Sequence, residues 1–220
     1  IEEKEDESPL TKADILSHKI ILESLKKFTP NIPVVSEESK NITTSERLGW
    51  VEYWLVDPLD GTKEFIKRNG EFTTNIALIR NNRPVFGIIF APALGEIYWG
   101  SIENGSFMLI EGKKTKINVS REINNPIKQL RIIKSRSHSN KELDKLLGNL
   151  DIFDLVGVGS SLKFCYVAKG DADCYPRFGP TSEWDTAAGE AIVLSAGGMV
   201  VNLNNQPIKY NKEAGFINPS

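Results

Sequence analysis

The sequence predicts a mixed α/β protein, with an α+β N-terminal part followed by a smaller α/β C-terminal part. Three observations predict it. Apolar residues recur at helical spacing through Ile15, Leu16, Ile20, Ile21, Leu22 and Leu25. Short apolar runs separated by turn residues then fill 72–110. Beyond a polar connector at 121–126, strand-like and helix-like segments alternate as in βαβ units.

The elements follow in order. Residues 1–7 carry five acidic side chains and one lysine and read as a solvated arm. Ser8-Pro9-Leu10-Thr11-Lys12-Ala13-Asp14 opens the first helix, with Thr11 and Asp14 at capping-box spacing. Pro30 closes it. The short strand 32–36 ends in Glu37-Glu38, and because neighbouring strand residues point to opposite faces, only one of the two can face a given pocket. A polar linker at 40–46 leads to a buried strand ending at Trp54-Leu55-Val56. Runs at 75–79, 85–90, 96–99 and 106–110, split by the turn-forming stretches 81–84, 92–95 and 103–105, predict an antiparallel meander. The C-terminal part offers a strand at 130–134, a helix at 141–147 and a strand at 153–156. Gly157-Val158-Gly159-Ser160-Ser161 then opens a helix reaching Ala168, a strand occupies 171–175, and Ser182-Glu183-Trp184-Asp185 caps a helix ended by Gly197-Gly198.

The stretch between these parts carries the chemistry. Asp57-Pro58-Leu59-Asp60-Gly61-Thr62 follows the buried strand; Pro58 forces a turn, Gly61 permits close approach of a ligand, and Thr62 is a helix N-cap. Two carboxylates three residues apart repel unless a cation lies between them, although a bare Asp-x-x-Asp-Gly-Thr also suits an ordinary acidic turn. An EF-hand loop is excluded, since its twelfth position, counting Asp57 as the first, would need glutamate and holds Arg68. Glu37, Asp57, Asp60 and Asp185 all sit at element ends, and the only histidines are His18 and His138. Oxygen ligands without His or Cys point to magnesium, manganese or calcium rather than zinc. Gly157-x-Gly159 lacks the third glycine of a dinucleotide fingerprint, and no P-loop is present.

Totals exclude other classes. With 27 basic and 29 acidic residues, a net charge of −2 gives no nucleic-acid-binding surface. No apolar run reaches membrane-spanning length and no signal peptide is visible. Cys165 and Cys174 fit no metal or redox spacing and read as buried thiols of a reducing compartment. The chain opens at Ile1 rather than Met, which predicts a fragment of a longer protein.

Four motifs together, Ser8-Pro-Leu-Thr-Lys-Ala-Asp14, Val35-Ser-Glu-Glu38, Trp54-Leu-Val-Asp-Pro-Leu-Asp-Gly-Thr62 and Trp184-Asp-Thr-Ala-Ala-Gly189, resemble the lithium-sensitive, magnesium-dependent phosphatases of the inositol monophosphatase superfamily. Asp60-Gly-Thr-Lys-Glu-Phe-Ile66, Asn69-Gly-Glu-Phe72, Ser135-Arg-Ser-His138, Gly159-Ser-Ser-Leu-Lys-Phe-Cys165 and Tyr175-Pro-Arg-Phe-Gly-Pro180 are similar to its bacterial CysQ branch, the 3′(2′),5′-bisphosphate nucleotidases. The resemblance covers nearly the whole chain. The family's usual helix before the Ser-Pro-x-Thr segment is missing from the sequence.

The resemblance implies a layered αβαβα sugar-phosphatase fold, with residues 1–124 carrying most metal ligands and 125–220 carrying Asp185 and the nucleotide pocket. It implies hydrolysis of adenosine 3′,5′-bisphosphate to AMP and phosphate in sulfate assimilation. Asp57 would bridge two Mg²⁺ ions, with Glu37 and the Leu59 carbonyl completing the first site and Asp60 and Asp185 the second. A metal-activated water would attack phosphorus in line. Thr62, paired with Asp14, would orient that water, and Glu37 allows a third, weaker ion. Mn²⁺ is an alternative activator, and Li⁺ and Ca²⁺ are expected inhibitors. Gly61, Thr62 and Lys63 would take the scissile phosphate, while His138, Ser160, Lys163, Arg177 and Asp185 would line the substrate pocket. The substrate is thus a small nucleotide bisphosphate. The protein is expected in the cytoplasm, with the cytoplasmic face of the inner membrane as an alternative, and as a monomer or homodimer. The rival readings are an inositol or sugar monophosphatase and a non-catalytic nucleotide or metal sensor.

Overall fold

The structure, a computed structural model, describes residues 2–3, 9–39, 42–120, 130–136, 141–148 and 153–218. The expected connector at 121–126 and His138 lie outside the described residues, as does most of the acidic arm. Strands β1 (Glu2–Glu3) and β2 (Pro9–Leu10) pair antiparallel. Helix α1 (Lys12–Phe28) follows, and the predicted capping box forms: the Thr11 hydroxyl accepts from the first turn while the Asp14 carboxylate accepts from the Thr11 amide.

Next come β3 (Val34–Ser36), α2 (Thr44–Leu48), β4 (Glu52–Asp60), α3 (Thr62–Lys67), β5 (Thr73–Arg80), β6 (Arg83–Ala91), β7 (Glu96–Ser101), β8 (Gly105–Ile110) and β9 (Lys113–Ile117). The strands form one seven-stranded sheet in sequence order, with β3 parallel to β4 and every other pair antiparallel. The predicted meander is therefore present, extended by β9.

Three expectations are corrected. The strand expected to stop at Val56 continues through Pro58 to Asp60, and the expected turn is a register shift between Asp57 and Asp60. Pro58 has no N–H for the ladder, so a bulge absorbs it and re-aims the carboxylates without ending the strand. Gly61, at φ 86°, is the N-cap of α3 and Thr62 its first helical residue. The segment read as a strand at 171–175 contributes only an isolated bridge from Cys174 to Ile132.

The C-terminal part comprises β10 (Leu130–Ser135), α4 (Lys141–Leu147), β11 (Phe153–Val158), α5 (Leu162–Ala168), β12 (Thr181–Ser182), α6 (Glu183–Ser195) and β13 (Ile217–Asn218). β10 and β11 are parallel, as the βαβ pattern predicts, and β12 pairs with β13. Helix α6 lies across β4 to β8, with α5 on its other flank. The approach is close because α6 presents Ala187, Ala188 and Ala191 and the sheet presents Gly87. A Cβ at Gly87 would fall 2.3 Å from the Ala188 carbonyl oxygen. One buried cluster runs from Val35 to Tyr210, joining sheet, α5 and α6. This packing brings the first turn of α6 against the end of β4.

Candidate active site

The bulge in β4 and the cap of α6 build an acidic cluster. Ser17 and Thr74 hydroxyls donate to the Pro58 carbonyl at 2.9 and 3.0 Å, and the Leu59 amide donates to Asp57 Oδ1 at 3.0 Å. Across from them, the Ser182 amide donates to Asp185 Oδ2 at 2.9 Å, completing the predicted capping box. Carboxylate oxygens of Asp57, Asp60 and Asp185 lie within 4.8 Å of one another. Glu37, at the end of β3, hydrogen-bonds Asp57.

Asp57 is 1% exposed. Its pKa is raised well above the usual range by burial first, then by Glu37, Asp60 and Asp185. Burial and then Asp60 push Asp185 up to about 8. Buried carboxyls this close together favour a cation among them, which relieves the repulsion that raises their pKa values. The donors are all oxygen, so the set fits a hard divalent cation. Asp57, Asp60 and Asp185 could hold it, with Glu37 hydrogen-bonded to Asp57.

A cavity of about 450 Å³ opens from Asp60 and Asp185. Gly61, Thr62 and Lys63 line one side; Ser160, Lys163, Tyr175 and Arg177 line another. Lys163 is buried, which lowers its pKa, and its Nζ donates to the Ser160 carbonyl and stands 5.4 Å from the Tyr175 ring centroid. Arg177 Nη2 donates to the Pro180 carbonyl at 3.1 Å, but its Nε is buried with no partner among the described residues. Ser160, at φ 45°, likewise keeps a buried Oγ with no partner. Unsatisfied buried polar atoms are costly, and two of them beside a cationic amine invite an anionic, hydrogen-bonding ligand.

The structure does not bring together every residue read from the sequence. Asp14 Oδ2 accepts from the Thr11 amide and hydroxyl at 2.8 and 2.6 Å, and the Thr62 hydroxyl donates to the Leu59 carbonyl at 3.5 Å. The expected Asp14–Thr62 hydrogen bond is therefore not formed in this structure: the Thr62 hydroxyl is on the Leu59 carbonyl, and the helix cap uses only Oδ2 of Asp14. His138 lies outside the described residues.

Sequence reasoning missed Ser161, whose hydroxyl lies 2.6 Å from Asp60 Oδ2, and Glu71, which accepts from the Gly159 amide at 2.8 Å and from both forks of Arg136 at 2.7 Å. The only available signal was a second serine beside Ser160 and an acid inside Asn69-Gly-Glu-Phe72.

The whole chain, residues 1–220, matches the Inositol monophosphatase family. It belongs to that family and is a phosphatase. It is 48% identical over 216 residues to the 3′(2′),5′-bisphosphate nucleotidase CysQ of Salmonella typhimurium, covering 98% of this chain and 85% of that protein. It is 45% identical, with the same coverage, to the CysQ of Escherichia coli K12. The crystal structure of CysQ from Bacteroides thetaiotaomicron superposes with a TM-score of 0.86 at 41% identity, covering 98% of this chain and 84% of that one. An IMPase of Thermotoga maritima, 24% identical with a TM-score of 0.76 over 94% of this chain and 76% of its own, shares the fold. The fold is therefore the layered α/β fold expected above.

Proposed function

We propose that the chain hydrolyses adenosine 3′,5′-bisphosphate to AMP and phosphate in a Mg²⁺-dependent reaction serving sulfate assimilation. The observation that carries this reading is convergence on one cavity. Asp60 and Asp185 line it, and so do buried Lys163, the unpartnered Ser160 Oγ and the unpartnered Arg177 Nε. A monoester needs one phosphate site, and the cations of Lys163 and Arg177 stand ready for a second phosphate. The nucleotidase relatives support the same choice.

In this reading residues 1–124 supply Glu37, Asp57, the Leu59 carbonyl and Asp60 for two ions, and residues 125–220 supply Asp185 and the nucleotide pocket. The bound ions would stabilise charge on the attacking and leaving oxygens. The Gly61 backbone and Lys63 would hold the scissile phosphate. Thr62 would orient the attacking water through Oγ1, and Asp14 would take up its proton at Oδ1, which the helix cap leaves unused. Lys163, Arg177 and Ser160 would fix the far phosphate and keep the nucleotide in register. No helix among the described residues is long and apolar enough to cross a membrane, and both cysteines are free thiols. The proposed compartment is the cytoplasm.

Phosphate release with Mg²⁺ tests the proposal, comparing adenosine 3′,5′-bisphosphate with inositol 1-phosphate at equal concentration. A preference of about a hundredfold for the nucleotide, ~2.7 kcal/mol in the transition state, supports it. The reverse preference moves the substrate to inositol or sugar monophosphates and leaves Lys163 and Arg177 without this role. Tight nucleotide binding with no release from either would make the protein a sensor.

A further inference from the structure

A buried polar chain runs from the start of β5 into the acidic cluster. Thr73 and Asn75 on β5 are 0% and 1% exposed, and Ser161 at the start of α5 is 2% exposed. Thr73 Oγ1 donates to Asn75 Oδ1 at 3.1 Å, Asn75 Nδ2 donates to Ser161 Oγ at 2.7 Å, and Ser161 Oγ donates to Asp60 Oδ2 at 2.6 Å. The Asp185 backbone carbonyl lies 3.0 Å from the same hydroxyl.

We propose that Ser161, oriented by Asn75, is a positioning residue that sets the spacing of Asp60 and Asp185 and thereby the affinity of the cation site they share. The inference rests on the metal reading above and adds to it residues that no part of that reading uses.

The direction of the chain follows from its acceptors. A carboxylate oxygen 2.6 Å from a hydroxyl needs the proton between them, so Ser161 must donate to Asp60. Its lone pair then needs a donor, which only the amide nitrogen of Asn75 can be. A flipped Asn75 would set its carbonyl against Ser161 and compete for the serine proton. Thr73 prevents that by donating to the Asn75 carbonyl.

One hydroxyl thus touches a carboxylate carried by β4 and the backbone that carries Asp185 on α6. It occupies one oxygen of Asp60 and leaves the other for a cation. Ser161 is 86 residues from Asn75 and 101 from Asp60 in sequence, so the contact also ties α5 to the sheet at the site. Partners that orient metal ligands in this way change metal affinity about 10- to 100-fold when removed.

The test uses the full chain and Mn²⁺ alone, with free Mn²⁺ followed by electron paramagnetic resonance and no substrate present. Wild type, Ser161→Ala, Ser161→Thr and Asn75→Ala are compared. Thermal unfolding in chelator reports separately on the fold. Ser161→Ala is expected to weaken one class of site about 10- to 100-fold while the other class moves less than about threefold. Ser161→Thr, which keeps the hydroxyl, should restore binding to within about threefold of wild type, and Asn75→Ala should weaken the same class by a smaller factor.

Wild-type affinity at both classes in Ser161→Ala would overturn the inference and leave the metal reading intact. Equal weakening of both classes, in step with a lower melting temperature in chelator, would make Ser161 merely structural. If wild type binds no Mn²⁺, the metal reading itself fails. Should Ser161→Ala not fold, Ser161→Thr and Asn75→Ala carry the same comparison.

Discussion

Replacing Asp57 by Asn should stabilise the metal-free protein and destabilise it relative to wild type once Mg²⁺ is added. The side chain is nearly isosteric and 1% exposed, so packing is preserved while the ability of this position to carry charge is lost. Carboxylate oxygens of Asp57, Asp60 and Asp185 lie within 4.8 Å of one another. At an effective dielectric of about 20, each fully charged pair at that distance repels by ~3.5 kcal/mol. Protons relieve part of this, because burial and the neighbouring carboxylates raise the pKa of Asp57 itself and burial pushes that of Asp185 up to about 8. The net gain expected in chelator is therefore about 2 kcal/mol, a rise of about 4–8 °C in melting temperature for a chain of this size.

The sign has a pH dependence. Asp185, raised from 3.8 to about 8, keeps its proton in the folded state across that window while the unfolded chain has lost it, so the metal-free wild type loses stability as pH rises from 3.8 to about 8. The advantage of Asp57→Asn must therefore be larger at pH 8 than at pH 6. Mg²⁺ at about a hundred times its dissociation constant should stabilise wild type by ~2.7 kcal/mol, and the variant should keep little of that. Phosphate release should fall about a thousandfold or more, ~4 kcal/mol in the barrier. Scanning calorimetry with and without Mg²⁺, beside a turnover assay, gives every quantity. A variant that melts lower in chelator and gains as much from Mg²⁺ as wild type would refute both the repulsion and the shared cation.

Two further predictions concern other parts of the molecule. Lys163→Ala should reduce kcat/KM for the bisphosphate about a hundredfold, ~2.7 kcal/mol, while changing turnover of a simple phosphate monoester less than about threefold; equal losses on both substrates would remove Lys163 from second-phosphate binding. Glu190 is 1% exposed, accepts from the Tyr210 hydroxyl at 2.7 Å, and has its pKa raised from 4.5 to about 7, mainly by burial. Stability is therefore lost as pH rises from 4.5 to about 7, and Glu190→Gln should flatten that slope by up to about 3 kcal/mol in denaturant titrations at the two ends of the window; an unchanged slope would show that Glu190 titrates normally.

What could be seen in the sequence was local. The Thr11–Asp14 capping box, the alternating strands of the meander and the cap at Ser182–Asp185 each depend on residues a few positions apart, and all three are present. Helix α2 was hidden because five residues cannot display a helical period, and β9 because Lys113–Ile117 is mostly polar, as an exposed edge strand can be. The expected strand at 171–175 was misread because apolar alternation says nothing about whether a partner edge is free. Of the candidate site, the four carboxylates were visible as types at element ends. Their mutual distance was not, since it depends on the bulge at Pro58 and on how closely Gly87 lets α6 approach.

Asp14 shows how one local reading can serve two roles. Its Oδ2 takes both Thr11 bonds and closes the helix cap, a contribution of about 1 kcal/mol. A carboxylate accepts through both of its oxygens, and the cap leaves Oδ1 unused. The proton uptake that the family resemblance assigns to Asp14 therefore needs no break in the cap; it needs the Thr62 hydroxyl to leave the Leu59 carbonyl.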